Sequence, residues 1–208
     1  MANKTHKQLG NTAWIRHLLM VSGLLLACTN PFATRNPEPP QGNQSNWIQP
    51  SSPEYVLVNL RAALKEKNIT NYMRCLADTS NSFKTFRYEP VPSVANNNPP
   101  SLFANWDKTA EFNFINQWMA FIPQDSSLEL SLTTLKENMF QDSVVLLQEY
   151  QLNTYYQCND DSCFYHMQGQ AEFYLLRTSE DLWYIYKWRD MATGSNPTWS
   201  HLRAKFGI

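Results

Sequence analysis

The sequence predicts an α+β domain, and three observations carry that expectation. Apolar residues recur at helical spacing in two stretches: Val56, Leu60, Ala63 and Leu64, and then Phe112, Ile115, Met119 and Ile122. From Leu128 onward apolar and polar residues alternate instead, as in strands with one packed face. The links between the alternating runs are of hairpin length. Helix, helix, strand, helix and then four strands is an α+β order.

The first helix begins at Ser52-Pro53-Glu54: the serine can cap, the proline suits the first turn, and the glutamate favours the helix dipole. Lys65 and Lys67 fall in its last turn, and Asn68 is its stop. Thr70 opens a second short helix carrying Tyr72, Met73, Cys75 and Leu76. Residues 83–88 suit a short strand that Pro90 and Pro92 end. Residues 93–101, rich in Asn and Pro, read as loop. A third helix runs from about Trp106 to Phe121, its stripe widened by Phe114, Trp118 and Phe121. Leu128, Leu130 and Leu132 begin the strands, and Val144, Leu146, Tyr150 and Leu152 share one face of the next. The clearest alternation sets Tyr165, Met167, Gly169, Ala171, Phe173 and Leu175 against His166, Gln168, Gln170 and Glu172. Trp183 to Asp190 is the last strand, and Thr198 or Ser200 starts a short terminal segment of helical character.

Everything before this domain reads as an address and a spacer. Lys4, Lys7, Arg16 and His17 make a positive start, and Leu18 to Ala27 is an apolar run of about ten residues. A helix crossing a bilayer needs about 20, so the run is a secretory signal rather than a permanent anchor. Leu25-Leu26-Ala27-Cys28 closes it. Those residues resemble the lipobox of bacterial lipoproteins. The resemblance implies removal of residues 1–27, a diacylglyceryl group on the Cys28 sulfur, and acylation of the new amine by a fatty chain such as palmitate. Two or more chains are what stable anchoring takes. An ordinary secretory signal is the alternative. Thr29, where aspartate would retain a lipoprotein in the inner membrane, implies the periplasmic face of the outer membrane in a two-membrane cell. In a one-membrane cell it implies the outer face of the cell membrane. Residues 28–52 then form a tether with five prolines, Pro31, Pro37, Pro39, Pro40 and Pro50. Its composition excludes helix and central strand and is too polar to fold alone. Trp47 and Ile48 are apolar enough to dock on the domain, with a small recognition motif as the alternative.

Loss of Lys4, Lys7 and Arg16 moves the net charge from −1 to −4. That balance excludes nucleic acid, which needs a basic patch, and a polybasic membrane-surface mechanism.

The element order over residues 53–208 resembles the NTF2-like (SnoaL-like) superfamily. Trp183-x-Ile185-x-x-Trp188-x-Asp190 looks like an ending common in those domains. The resemblance implies a curved antiparallel sheet wrapped around a long helix, a cone with a pocket. Strict alternation puts Trp188 and Asp190 on the face opposite Trp183 and Ile185 unless a bulge intervenes.

Cys158 and Cys163 bracket Asn159-Asp160-Asp161-Ser162, read as a four-residue hairpin loop with a cysteine at each strand end. Directly paired positions lie near disulfide range, so a Cys158–Cys163 bridge is expected, with Cys75 reduced and buried. A thiol metal site with Asp160 and Asp161 is the rival, but zinc spacing is usually tighter, and no metal is expected. Cofactor loops, Ser-His-Asp arrangements and GxSxG are absent from the sequence, so no cofactor is expected.

The candidates for chemistry are Asp190 and His166. Superfamily enzymes use an Asp or His inside the cone with tyrosine donors, which would bring Asp190 beside Tyr184 or Tyr186. Against that, Asp190 can pair with Arg189 or Lys187 or cap a turn, and His166 is a lone strand histidine with no orienting carboxylate in reach. Tyr184, Tyr186 and Trp188 are the candidates for lining a ligand pocket. The favoured expectation is a non-catalytic, membrane-anchored module binding an envelope protein or a small apolar ligand. An isomerase or cyclase with an acid/base in the cone, and an envelope scaffold, are the alternatives.

Overall fold

The structure is a computed structural model and describes residues 45–158 and 163–207. The leader, Cys28 and most of the tether, like the loop residues 159–162, lie outside the described residues.

The first helix, α1 (Pro53–Lys65), starts as its sequence requires, with the Ser52 hydroxyl accepting from Tyr55 N–H. It ends through Lys67, whose φ of 52° is left-handed. There Asn68 N–H reaches Ala63 O at 2.7 Å and Lys67 N–H reaches Leu64 O at 2.9 Å, a Schellman closure. The Lys67 ammonium also donates to the carbonyls of Pro123 and Gln124, tertiary bonds that help hold a lysine where glycine is the usual occupant. Asn68 does not merely stop α1. Its side chain caps α2 (Ile69–Arg74), which therefore begins a residue before Thr70 and ends before Cys75.

The strand expected over 83–88 shrinks to β1 (Arg87–Glu89). The expected loop at 93–101 instead holds two short helices, α3 (Pro92–Asn96) and α4 (Pro100–Phe103), each opened by a proline at its first position. Next comes α5 (Lys108–Ala120), capped by Asp107. Its buried stripe is Glu111, Phe114, Ile115, Trp118 and Met119. Phe112 and Phe121, expected in that stripe, are 46% and 48% exposed, because the neighbouring helices and the sheet cover one side of α5 and not all of it.

Four long strands follow: β2 (Leu128–Met139), β3 (Ser143–Thr154), β4 (His166–Arg177) and β5 (Trp183–Met191). The sheet order is β1-β5-β4-β3-β2, antiparallel except for β1 beside β5. On β4, Met167, Gly169, Ala171, Phe173 and Leu175 are buried as the alternation requires, whereas Tyr165 lies before the strand and is exposed. In β5 a bulge decides the faces. Tyr174 pairs with Lys187 and Leu175 with Ile185, so Tyr186 is the extra residue. Trp183, Ile185, Trp188 and Asp190 consequently all turn inward and are all buried.

The terminal helix α6 (Trp199–Phe206) carries a capping box: the Thr198 hydroxyl accepts from the first turn and Thr198 N–H donates to His201 Nδ1. Helices α1, α5 and α6 and the inward side of the curved sheet share one core. Gly169 lies in the middle of β4 beneath the Tyr150 ring. A Cβ there would meet Met191 O at 2.6 Å and the Tyr150 hydroxyl at 2.8 Å, so only glycine admits that ring.

Cys158 and Cys163 form a disulfide with Cα atoms 6.0 Å apart. They do not sit at strand ends. β3 stops at Thr154 and β4 starts at His166, so the bridge closes the middle of a longer loop. Cys75 is a buried free thiol, and burial pushes its pKa up. No described helix is long and apolar enough to cross a membrane.

Candidate functional site

The interior of the cone is occupied by the protein itself. Glu111 of α5 and Arg203 of α6 are fully buried and paired, with Arg203 Nη2 2.6 Å from Glu111 Oε1 and Nε 2.9 Å from Oε2. Trp106 Nε1 and the Tyr72 hydroxyl donate to the same carboxylate at 2.6 and 2.5 Å. The guanidinium lies 3.9 Å from the centre of the Tyr88 ring and 4.5 Å from that of Trp188. The indoles of Trp118, Trp188 and Trp199 meet edge to face around it.

Asp190 belongs to this interior. Its carboxylate accepts from the Tyr150 hydroxyl at 2.7 Å, the Tyr88 hydroxyl at 3.2 Å, Ser200 N–H at 2.8 Å and the Ser200 hydroxyl at 2.6 Å. Burial, reinforced by the Asp190 charge, raises the pKa of Tyr88 and Tyr150. Burial and the Glu111 charge do the same for Tyr72. All three phenols are therefore fixed as donors. Asp190 pairs with neither Arg189 nor Lys187. Those side chains leave the opposite face of β5 and meet Glu89 at 2.7 and 2.6 Å. Nor does it lie with Tyr184 or Tyr186; its tyrosines are Tyr88 and Tyr150, from β1 and β3. At 1% exposure, with three donors on Oδ2 and one on Oδ1, it fastens the start of α6 to the sheet and is closed off from solvent.

His166 is exposed, with Nδ1 2.6 Å from Asn153 Oδ1 and Nε2 3.3 Å from Gln168 Oε1. It and Asp190 do not meet. Among the described residues there is also no group of three or more His, Cys, Asp or Glu side chains placed to hold a metal ion.

The pocket candidates separate in the same way. Trp188 is core. Tyr186, displaced by the bulge, stacks beneath the Lys84 ammonium at 4.1 Å. Tyr184 alone reaches a large cavity, an open groove of about 1320 Å³ outside the cone. One wall is Trp47, Gln49 and Pro50, held against α1 by Asn59, which accepts from Ile48 N–H at 2.9 Å and donates to Ile48 O at 2.6 Å. The rest is α2, the 78–85 segment, Arg87 of β1, the start of α5 as far as Phe112, and Leu182 beside Tyr184. Lys108 bridges the groove floor, bonding Asp78 Oδ2 at 2.6 Å and Leu76 O at 2.8 Å. Burial alone would raise the Asp78 carboxyl, but hydrogen bonds from Lys108 and Ser80 outweigh it and hold the pKa at about 2.

Of the core network the sequence singles out Asp190 and Trp188 but not the Glu111–Arg203 pair, and of the groove it singles out Tyr184 and Trp47 but not Arg74 or Arg87. A signal for the network does exist: Glu111 shares the helical stripe of Ile115 and Trp118, and Arg203 that of Trp199 and Phe206. A charge on an apolar stripe asks for a buried partner.

No family model matches the chain, and no curated protein matches it. Solved structures do. A protein from Novosphingobium aromaticivorans, provisionally named as an aromatic ring hydroxylase, aligns over 72% of this chain and 92% of its own with a TM-score of 0.51 at 9% identity. A provisionally named dehydratase of the NTF2-like family from Streptomyces avermitilis aligns over 68% and 94% with a TM-score of 0.49, also at 9% identity. The fold is NTF2-like. Likeness at such identities speaks to the fold, and the activities in those names remain those proteins' own. In this domain the C-terminal helix α6 packs into the cone, and the groove lies outside it.

Proposed function

We propose that this chain is a non-catalytic binding module of the bacterial cell envelope, anchored by lipid on Cys28 and holding its ligand or partner in the outer groove. One observation carries the non-catalytic reading: Asp190, the acid an NTF2-like enzyme would use, is spent on fastening α6. The same observation moves the ligand site. A small apolar molecule in the cone would have to displace the Glu111–Arg203 pair and the indoles around it, whereas the groove is open and reaches Tyr184. The address rests on the lipobox residues Leu25, Ala27 and Cys28.

The test is a photo-crosslinking side chain placed at Thr109 in the groove or at Ser131 on the outer sheet, in cells making the full chain. Adducts at position 109 and few at 131 are expected; equal or reversed yields would remove the groove from the proposal. Mass spectrometry of the mature protein reports the address: an amino-terminal Cys28 with a diacylglyceryl group on its sulfur is expected, and a bare or uncut one defeats it.

The scaffold reading has one observation of its own. At the β2–β3 hairpin Leu135, Met139 and Phe140 are 47%, 55% and 59% exposed. Crosslinks to protein concentrated at Phe140 rather than Thr109 would favour it.

A further inference from the structure

The groove's polar groups divide into those already engaged and those left over. Its acids are engaged. Asp107 accepts from Thr109 and Ala110 N–H at the start of α5, and Asp78 accepts from Lys108 and Ser80. Lys108 is thereby engaged as well. The two arginines are not: among the described residues neither Arg74 nor Arg87 has a carboxylate partner, and both are exposed. Arg74 is nonetheless held in place. Its guanidinium stacks 3.9 Å from the centre of the Trp47 ring and donates to Asn71 Oδ1 at 3.0 Å, which leaves further N–H groups for a ligand. Beside the arginines stand the Thr70 and Thr109 hydroxyls, with no partner among the described residues, and the Phe112 and Tyr184 rings.

This remainder has a definite chemistry. Two guanidinium forks ask for carboxylates. Hydroxyls that both give and accept hydrogen bonds match a ligand with the same duality. Ring faces offer surface to C–H-lined apolar patches. An extended peptide would satisfy the first demand, but its backbone wants a free strand edge, and the edge beside the groove is closed. Phe86 N–H is bonded to Ala77 O, Tyr88 N–H to Trp106 O, and Ile185 N–H to Cys75 O. A sugar ring carries hydroxyls on its rim and C–H groups on its face, and needs no strand edge.

We propose that the groove binds an acidic saccharide, with Arg74 and Arg87 on its carboxylates, Thr70 and Thr109 on its hydroxyls, and Phe112 and Tyr184 against its ring faces. This rests on the reading of the groove as the ligand site and names the ligand that site takes. The Trp47–Pro50 wall, clipped by Asn59, sets the groove's width and holds Arg74 in its stacked position.

The experiment is calorimetric titration of the full mature chain in detergent with three probes: a hexamer of galacturonic acid, the same hexamer with its carboxyls reduced, and hexaglutamate. The uronate hexamer binds. Carboxyl reduction weakens binding roughly tenfold or more, and R74Q and R87Q each cost roughly tenfold, as expected for loss of a charge-assisted pair. Both arginines are exposed, so an unchanged unfolding midpoint shows that each variant is folded. No binding of the uronate, equal binding of the reduced hexamer, or equal binding by hexaglutamate overturns the saccharide assignment. If crosslinks at Thr109 persist in cells while the uronate does not bind, the ligand class alone is wrong. If both are absent, the groove reading falls with it.

Discussion

Replacing Arg203 with methionine probes the packed interior most directly. Arg203 and Glu111 are each 0% exposed, so R203M leaves a carboxylate in the core with only the Tyr72 and Trp106 donors. Removing one partner of a buried pair costs about 3–5 kcal/mol. The ring contacts to Tyr88 and Trp188 are lost too, and methionine, with its similar reach, replaces part of that packing. A domain of this size holds about 5–15 kcal/mol in all, and each kcal/mol moves its midpoint by about 2–4 °C. The expected fall in midpoint is therefore about 6–20 °C. Thermal unfolding followed by circular dichroism measures it, urea unfolding gives the free energies, and a double-mutant cycle isolates the pair. E111Q/R203M should be less destabilised than the two singles summed, by about 2 kcal/mol or more, because the second change removes the charge that the first orphans. A cost for R203M below about 1 kcal/mol, or strict additivity, would refute the claim that this pair closes the cone.

Three further outcomes follow from particular contacts. G169A should unfold at markedly lower urea, because its Cβ meets backbone at Met191 as well as the Tyr150 ring; a midpoint within error of the parent would mean that the ring does not lie there. His201 titrates below its usual range because burial opposes its charge, an effect the Asp190 carboxylate partly offsets, and its neutral Nδ1 accepts from Thr198. A folded pKa below the unfolded one means that stability is complete above about pH 6.5 and is lost as pH falls through the folded value. The acid-side decline should flatten in H201Q, which keeps an acceptor that does not titrate. Thiol labelling of unreduced mature chain should find no reactive thiol in the fold and one on unfolding, Cys75. One further thiol would mean that Cys28 is unmodified, and two further thiols that the Cys158–Cys163 bridge is open.

The helices and strands were legible wherever one residue's neighbours along the chain decide its state. Ser52-Pro53-Glu54 specifies a helix start by its own hydrogen-bonding chemistry. The β4 alternation specifies a strand because a pleat has only two sides. Legibility failed where a contact distant in sequence decides. Asn68 reads as the stop of α1, and its use as the cap of α2 depends on where the chain must turn to pack. Phe112 reads as core on any helical wheel, yet the groove beside α5 leaves it half exposed.

For the site, residue types alone nominated Asp190 and could not say what it does. A carboxylate's role follows from the donors that surround it, and these come from β1, β3 and α6, as much as 102 positions away in sequence. The single extra residue at Tyr186 turns Trp188 and Asp190 into the core; sequence states that possibility and only strand pairing decides it, because a bulge is a property of two strands and not of one. From the sequence by itself came the α+β class, the order of its elements apart from α3 and α4, the cysteine pair and the expectation of a lipid on Cys28, each written in local patterns. Tertiary structure alone decided that the cone is closed and the groove is open, since a cavity is whatever packing leaves over, and no single segment encodes it.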